Sequence, residues 1–209
     1  MKKNSANCIS CKVHKCKKGE KDNLPAFCPM NDGSIYEEAV LLLEKHREFF
    51  VNCSVIEKKG YGIWPRVREI IEFIKAMNFE KIGLAFCSGF QREAKMLSEI
   101  FEEHGIELIG VMCKTGGTDK LVSGIPEEYK LKPGYFEAHC NPIAQALVLN
   151  KEETDFNIIM GLCVGHDSLF MKHSKALCTT LVTKDRVTGH NPVAALYLKD
   201  SYMKSKLGL

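Results

Sequence analysis

The stretch KIGLAFCSGFQ, residues 81–91, decides how this chain folds. The compact apolar run from Ile82 to Phe86 predicts a strand, and the Cys-Ser-Gly turn that follows it leads into a helical pattern reaching Glu103. Ser88 and Gln91 have the spacing of a capping box, which predicts that this helix begins at Ser88. A strand followed at once by a helix is the unit from which α/β proteins are built.

The rest of the chain continues this alternation. Further apolar runs predict strands at residues 106–112, 156–162 and 177–183, and helical patterns follow at residues 142–150, 167–172 and 192–198, with Asp167 as the cap of the middle helix. The sequence therefore predicts an α/β, Rossmann-like three-layer domain, in which a mostly parallel sheet of about four strands carries helices on both faces.

Two helical patterns precede the sheet. Ser34 and Glu37 have capping-box spacing, and apolar residues recur at helical intervals as far as Phe50. A second pattern begins at Pro65 and runs to Met77. We expect a cysteine-rich metal-binding segment at residues 1–33 and, at residues 34–209, the Rossmann-like domain with its N-terminal helices.

Composition limits the class of protein. The 209 residues are 45% hydrophobic and 26% charged, with a net charge of +3, which is ordinary for a soluble globular protein. No apolar run approaches the roughly 18 residues of a membrane span, and no secretory signal is visible. We expect a cytoplasmic protein without a membrane partner. In a reducing compartment, ten cysteines indicate metal binding or redox chemistry over disulfides.

Four of these cysteines crowd the N-terminus with the spacing C-x2-C-x4-C-x11-C. They are Cys8, Cys11, Cys16 and Cys28. Thiolates are soft ligands, so four on a short segment suit one zinc ion or one iron–sulfur cluster. The pair Cys28-Pro29 is similar to the Cys-Pro pair that ends the ligand sequence of ferredoxins. Lysines surround these cysteines, but no aromatic residues are interleaved with them, so nucleic acid binding is not expected.

A second set of cysteines stands at turns of the α/β domain. Cys87, Cys113 and Cys163 each follow a predicted strand, and Cys140 opens a predicted helix after a long loop. Since parallel strands end along one edge of the sheet, we expect these four thiols to converge as metal ligands or reactive groups. Cys53 and Cys178 fit the alternative of ordinary small hydrophobic residues.

Other residues near these turns are candidates for the same site. Glycines in the turns allow the backbone to approach a cofactor closely, and they are Gly89, Gly116, Gly117 and Gly165. His166 follows Cys163 closely enough to be a metal ligand, with a proton donor or a surface cap as alternatives, and His139 and His190 are possible auxiliaries. Lys184, Asp185 and Arg186 are interpreted as a solvated turn, with an anion site as the alternative.

The chain resembles the DUF1847 family of uncharacterised proteins, described as metal-binding and found in archaea and anaerobic bacteria. The resemblance rests on the cysteines of the N-terminal segment through Cys28-Pro29, on FCSG at residues 86–89, on HCNP at residues 139–142 and on GLCVGHD at residues 161–167. It is expected to cover nearly the whole chain. It implies metal binding and supplies neither a reaction nor a metal.

The sequence thus predicts a metal-binding protein with two cysteine-rich sites and iron–sulfur clusters, of the 4Fe–4S type, as the favoured cofactor. If both sites hold clusters, we expect an oxidoreductase that passes electrons to a pocket where an oxidised or small anionic substrate binds. One alternative is a zinc protein with a structural knot and a second zinc or a reactive thiolate. Another is a metal carrier or sensor without enzymatic activity. A small-molecule substrate, an electron-transfer partner and a second copy of the chain are the partners considered.

Overall fold

The computed structural model describes residues 5–209, which divide into two compact units. The first ends at Lys58 and the second is Lys59–Leu209. These units are defined by how compactly their residues pack, which does not test the domain boundary expected after residue 33. That boundary stays a prediction. Within the described residues, no helix combines the length and apolar character needed to cross a membrane.

The first unit contains the N-terminal cysteines and two helices. Short 3-10 turns at Cys8–Ser10, Lys15–Lys18 and Pro29–Asn31 lead to helix α1, Gly33–Lys45, and then to α2, Arg47–Gly60, whose last two residues belong to the second unit. The single helix expected through Phe50 is wrong, because His46 leaves the helical conformation between α1 and α2. The cap of α1 also differs from the expectation, since the Asp32 carboxylate accepts the Ser34 N–H.

The second unit is built on a parallel sheet, as expected. Its strands are β1, Ile82–Phe86; β2, Leu108–Met112; β3, Phe156–Met160; and β4, Leu177–Val182. Within the described residues they form one sheet in the order β2-β1-β3-β4, with every neighbouring pair parallel. From β1 the chain goes first to β2 on one side and later to β3 on the other, so the switch point of this sheet lies between β1 and β3.

Helices alternate with these strands. They are α3, Arg66–Ala76; α4, Gln91–Glu102; α5, Pro142–Lys151; α6, His166–His173; and α7, Val193–Tyr197. Two predicted caps are wrong: a 3-10 turn at Ser88–Phe90 precedes α4 in place of the capping box, and Gly165 caps α6 while Asp167 lies within it. Asn141 caps α5, since its side chain accepts the Ala144 N–H.

Helices cover both faces of the sheet. On one face the Phe73 ring of α3 packs 5.7 Å from the Phe156 ring. On the other face Leu149 of α5 lies over Gly83, which pairs in register with Asn157. Since Phe156 and Asn157 are consecutive strand residues, they point to opposite faces. The three-layer arrangement expected from the sequence follows from these two contacts.

Close packing at Gly83 fixes the position of α5 on the sheet. A Cβ atom added to Gly83 would lie 1.9 Å from Asn157 Oδ1 and 2.8 Å from Leu149 Cδ1. Asn157 cannot yield easily, because it is buried and donates from Nδ2 to Ser174 Oγ over 2.8 Å. The absence of a side chain at this position therefore lets helix and sheet approach.

A pair of glycine substitutions tests this packing. Gly83→Ala should lower the free energy of unfolding by about 1–3 kcal/mol, because the added methyl group overpacks the core. Gly110→Ala is the matched control in the neighbouring strand, where a Cβ would meet Phe86 at an ordinary 3.6 Å, and it should stay within about 1 kcal/mol of wild type. Urea unfolding measures both, and equal stabilities for the two variants would contradict the packing argument.

Candidate functional site

The register of the sheet brings the ends of three strands together. Phe86 is level with Met112 on one side and with Met160 on the other. The ladder continues one step past β1, because Cys113 N–H donates to Phe86 O over 2.8 Å and Cys87 N–H donates to Met160 O over 3.1 Å. Cys87 and Cys113 are thereby fixed side by side at the carboxyl edge, as the sequence predicts.

Cys140 reaches the same edge from the end of the long loop. Asn141 N–H donates to Cys113 O over 2.7 Å, while the Asn141 side chain caps α5. Gln145, fully buried one turn further on, donates from Nε2 to Phe86 O and Val111 O over 3.2 and 2.6 Å. The start of α5 is therefore fastened to the ends of both β1 and β2.

An internal ion-pair cluster holds the loop of residues 114–139 in shape. The Lys130 ammonium is almost fully buried and lies 3.2 Å from Asp119 and 3.0 Å from Glu127, and it also donates to Tyr135 O. Lys120 pairs with Glu137 over 2.6 Å. The carboxylates of this cluster have lowered pKa values; for Asp119 the main cause is the backbone N–H of Leu121. The loop thus arrives at Cys140 as an ordered segment.

The thiols of this edge are coupled to one another. Cys113 accepts the Ser88 N–H at its Sγ over 3.3 Å. A hydrogen bond from Cys113 is the main cause that lowers the pKa of Cys140 to about 6. A hydrogen bond to Cys113, followed by burial, raises the pKa of Cys87 to about 12. Cys113 is therefore the hydrogen-bond partner both of Cys87, which stays protonated, and of Cys140, which ionises easily.

Cys163 and three cations complete the group. Lys184 Nζ donates to Cys87 Sγ over 3.1 Å, and Arg186 Nη2 donates to Cys163 Sγ over 3.4 Å. The hydrogen bond to Cys163 raises the pKa of Arg186, and the nearby charges of Cys87 and Cys140 raise it further. Lys114 contributes to lowering the pKa of Cys140. We call Cys87, Cys113, Cys140 and Cys163 the inner pocket. Arg186 is exposed and Lys184 is half-buried, so the interpretation of residues 184–186 as a solvated turn, with an anion site as the alternative, stays a prediction.

The predicted glycines and histidines occupy different surroundings. Gly89 is exposed beside Cys87, Gly116 and Gly117 form the turn after β2, and Gly165 precedes α6 with a φ of 83°. His166 is the first residue of α6, and its N–H donates to Cys163 O over 3.0 Å. The rings of His139 and His190 hydrogen-bond to Ser123 Oγ and to Asp185 N–H.

The four N-terminal cysteines line one cavity within the first unit. This cavity has a volume of about 230 Å³, and its lining includes Cys8, Cys11, Cys16 and Cys28 together with apolar side chains such as Leu24 and Phe27. A hydrogen bond from Asn7 N–H to Phe27 O closes the segment on itself. We call these four cysteines the head group.

Within residues 5–209, no group of three or more His, Cys, Asp or Glu side chains is arranged to hold a metal ion. The metal ligands expected in the head group and in the inner pocket, including His166, stay predictions.

Comparison with known proteins gives the family. Residues 28–181 match the family model described as a protein of unknown function, DUF1847. The chain belongs to this family. It is also similar to the uncharacterised protein MJ0455 of Methanocaldococcus jannaschii, with 49% identity over 154 residues, which are 74% of this chain and 77% of that protein.

The match to DUF1847 is narrower than the resemblance expected over nearly the whole chain. It contains Cys28 and all four thiols of the inner pocket. Cys8, Cys11 and Cys16 lie before it, and Lys184 and Arg186 lie after it. The DUF1847 match therefore covers the sulfur atoms of the inner pocket and Lys114, but not the two cations that follow β4.

Sequence reasoning does not find two residues of the candidate site in this DUF1847 chain. Lys114 directly follows Cys113, and its position after a strand-end cysteine was the available signal. Gln145 is the one polar residue in the apolar stretch PIAQALVL, residues 142–149, and a lone polar residue in such a run indicates a buried hydrogen-bonding role.

The lowered pKa of Cys140 predicts selective alkylation of metal-free protein. Since the thiolate is the nucleophile, the rate with iodoacetamide should rise through a pH of about 6 and then level off. Cys113→Ala should move this midpoint upward toward ordinary thiol values, because it removes the main cause of the shift. Peptide mass spectrometry at several pH values measures the labelling, and a midpoint unchanged by Cys113→Ala would contradict the assigned cause.

Proposed function

We propose that this protein is a cytoplasmic iron–sulfur protein with a redox function, in which the inner pocket and the head group each bind a cluster. The observation that carries the proposal is the convergence of four thiols, from four separate segments of the chain, on one edge of the sheet beside Lys114, Lys184 and Arg186. Buried thiols that served only as packing would not require three cations around them.

The donor set of the inner pocket fits a thiolate-bound cluster. Four thiolates bring more negative charge than an iron–sulfur core neutralises. Hydrogen bonds to the sulfur atoms tune the reduction potential of such a cluster. Ser88 N–H donates to Cys113, and Gly89 N–H donates to Cys87. Together with Lys184 and Arg186, these groups would stabilise the ionised sulfur atoms and hold them in place.

The cavity bordered by the head group also favours a cluster. Its volume of about 230 Å³ far exceeds the roughly 15 Å³ that one bound water needs, so it offers more room than a single ion fills. Its mostly apolar lining would limit the access of water to sulfur. A bound cluster supplies one-electron transfer, and the reducing cytoplasm suits thiols that are partly exposed.

Zinc is the second candidate for the inner pocket. Cys113 is within hydrogen-bonding reach of both Cys87 and Cys140. Sulfur atoms that close together are typical of a tetrahedral site around one ion. Zinc would bring no labile sulfide and no visible chromophore, so the two candidates separate in one analysis.

The experiment that tests the proposed function is a count of iron, zinc and acid-labile sulfide on protein purified without oxygen. We expect iron with matching sulfide and a brown chromophore. Zinc without sulfide would overturn the iron–sulfur assignment and favour the second candidate. The absence of both metals would overturn both candidates.

Cysteine variants assign the metal to each group. Cys87→Ser with Cys163→Ser should remove the metal of the inner pocket and spare that of the head group, because two of four soft ligands are lost. Cys8→Ser with Cys11→Ser should do the reverse. Cys53→Ser is the matched control, since Cys53 belongs to neither group, and it should retain the full content. Full metal content in the Cys87→Ser, Cys163→Ser variant would exclude the inner pocket as a metal site.

A further inference from the structure

We infer that the inner pocket binds the oxyanion group of a small substrate in a cradle formed by Gly89, Lys184 and Arg186. This inference rests on the proposed function, because it assigns a substrate class to the proposed redox site. We call these three residues the anion cradle.

Lys184 is held beside Cys87 and Phe90 by two contacts. Its Nζ donates to Cys87 Sγ over 3.1 Å and lies 4.7 Å from the centre of the Phe90 ring. Phe90 is itself buried and fixed against His190, with ring centres 4.7 Å apart. The ammonium group is therefore positioned before any ligand arrives, and an ammonium has three donors.

Arg186 supplies the second cation from the solvent side. The residue is exposed, and its Nη2 contacts Cys163 Sγ over 3.4 Å. A guanidinium has five N–H donors in a planar fork, which suits carboxylate, sulfate and phosphate oxygens. One contact to sulfur leaves most of these donors directed elsewhere.

The carboxylate nearest in sequence does not neutralise these cations. Asp185, which lies between them, accepts the N–H groups of Val187 and Thr188 over 2.9 and 3.0 Å and so closes its own turn. The ion pairs formed within residues 5–209 involve neither Lys184 nor Arg186. Arg186 also interacts electrostatically with Cys87, the thiol that Lys184 contacts. Two cations around one thiol, without a carboxylate partner among the described residues, suit an added anion.

Gly89 provides the space for that anion. A Cβ atom at this position would lie 3.6 Å from Lys184 Nζ and 3.9 Å from Cys87 Sγ, in contact with both groups. The residue is exposed, so the space opens to solvent. Since its φ is not among the positive values of the chain, a side chain there would not strain the backbone.

Because Gly89 has no Cβ, a substitution at this position can test anion binding separately from metal binding. Gly89→Ala would fill the cradle and keep the backbone N–H that Cys87 accepts. Metal binding by the thiols should survive this change, whereas an anion would lose its place beside Lys184.

Calorimetric titration of the protein as purified tests the cradle. The probes are sodium sulfate, with tetrahedral oxygens, and sodium acetate, with planar ones, each at constant ionic strength balanced by chloride. Wild type should bind at least one of them, and the stronger probe gives the geometry of the oxyanion. Gly89→Ala and Arg186→Gln should each weaken that binding about tenfold or more, since the first excludes the anion from its place beside Lys184 and the second removes a charge-assisted contact.

A matched control corrects for overall charge. Lys151→Gln removes one positive charge at the far end of α5, away from the pocket, and should leave the affinity at the wild-type value. Metal and sulfide are counted on every sample, so a loss of the cofactor is not mistaken for a loss of the anion site.

Each outcome decides one assignment. Wild-type affinity in either Gly89→Ala or Arg186→Gln, or no binding of either probe to wild type, would overturn the cradle whatever the metal content. Weakened binding in both variants with unchanged metal supports it. Weakened binding in both variants of a protein that contains no metal at all would confirm the anion cradle and overturn the proposed function.

Discussion

The register of β1 with its two neighbours is the constraint on which the candidate site depends. Phe86, Met112 and Met160 end level, so the residues that follow them have no freedom to separate along the strand direction. Parallel pairing requires crossovers, and each crossover begins at this edge with a turn that carries a cysteine. The Gln145 amide then ties α5 to the same strand ends, which adds the segment of Cys140.

The electrostatic pattern of the pocket follows from this geometry. Two of the thiols differ in ionisation: the pKa of Cys87 is raised to about 12 and that of Cys140 is lowered to about 6, and Cys113 is the hydrogen-bond partner of both. Binding of a metal to thiols releases protons, so the charge already present at Cys140 offers a first ligand at low cost. Lys184 contacts the sulfur atom of Cys87 and Arg186 contacts that of Cys163, so positive charge is distributed around the group.

Sequence reasoning finds the strands and misses the details that depend on neighbours in space. The bounds of β1 are predicted to the residue, because a compact apolar run ending at a Cys-Ser-Gly turn is unambiguous. The convergence of Cys87 and Cys113 follows from the parallel order alone. The caps at Ser88 and Asp167 are wrong because glycine and 3-10 geometry compete locally with side-chain capping. The contacts of Lys184 and Arg186 with thiols cannot be derived, since they depend on where β4 lies beside β3.

The distribution of the two cysteine groups along the chain sets an order of assembly during synthesis. The head group lies within one short N-terminal segment, so its four thiols leave the ribosome together and are complete before any strand of the sheet exists. The inner pocket needs the ends of β1, β2 and β3, and Lys184 and Arg186 need β4 as well. The cofactor that we propose for the inner pocket would therefore enter only a nearly finished chain, whereas the one proposed for the head group could be acquired by a nascent chain.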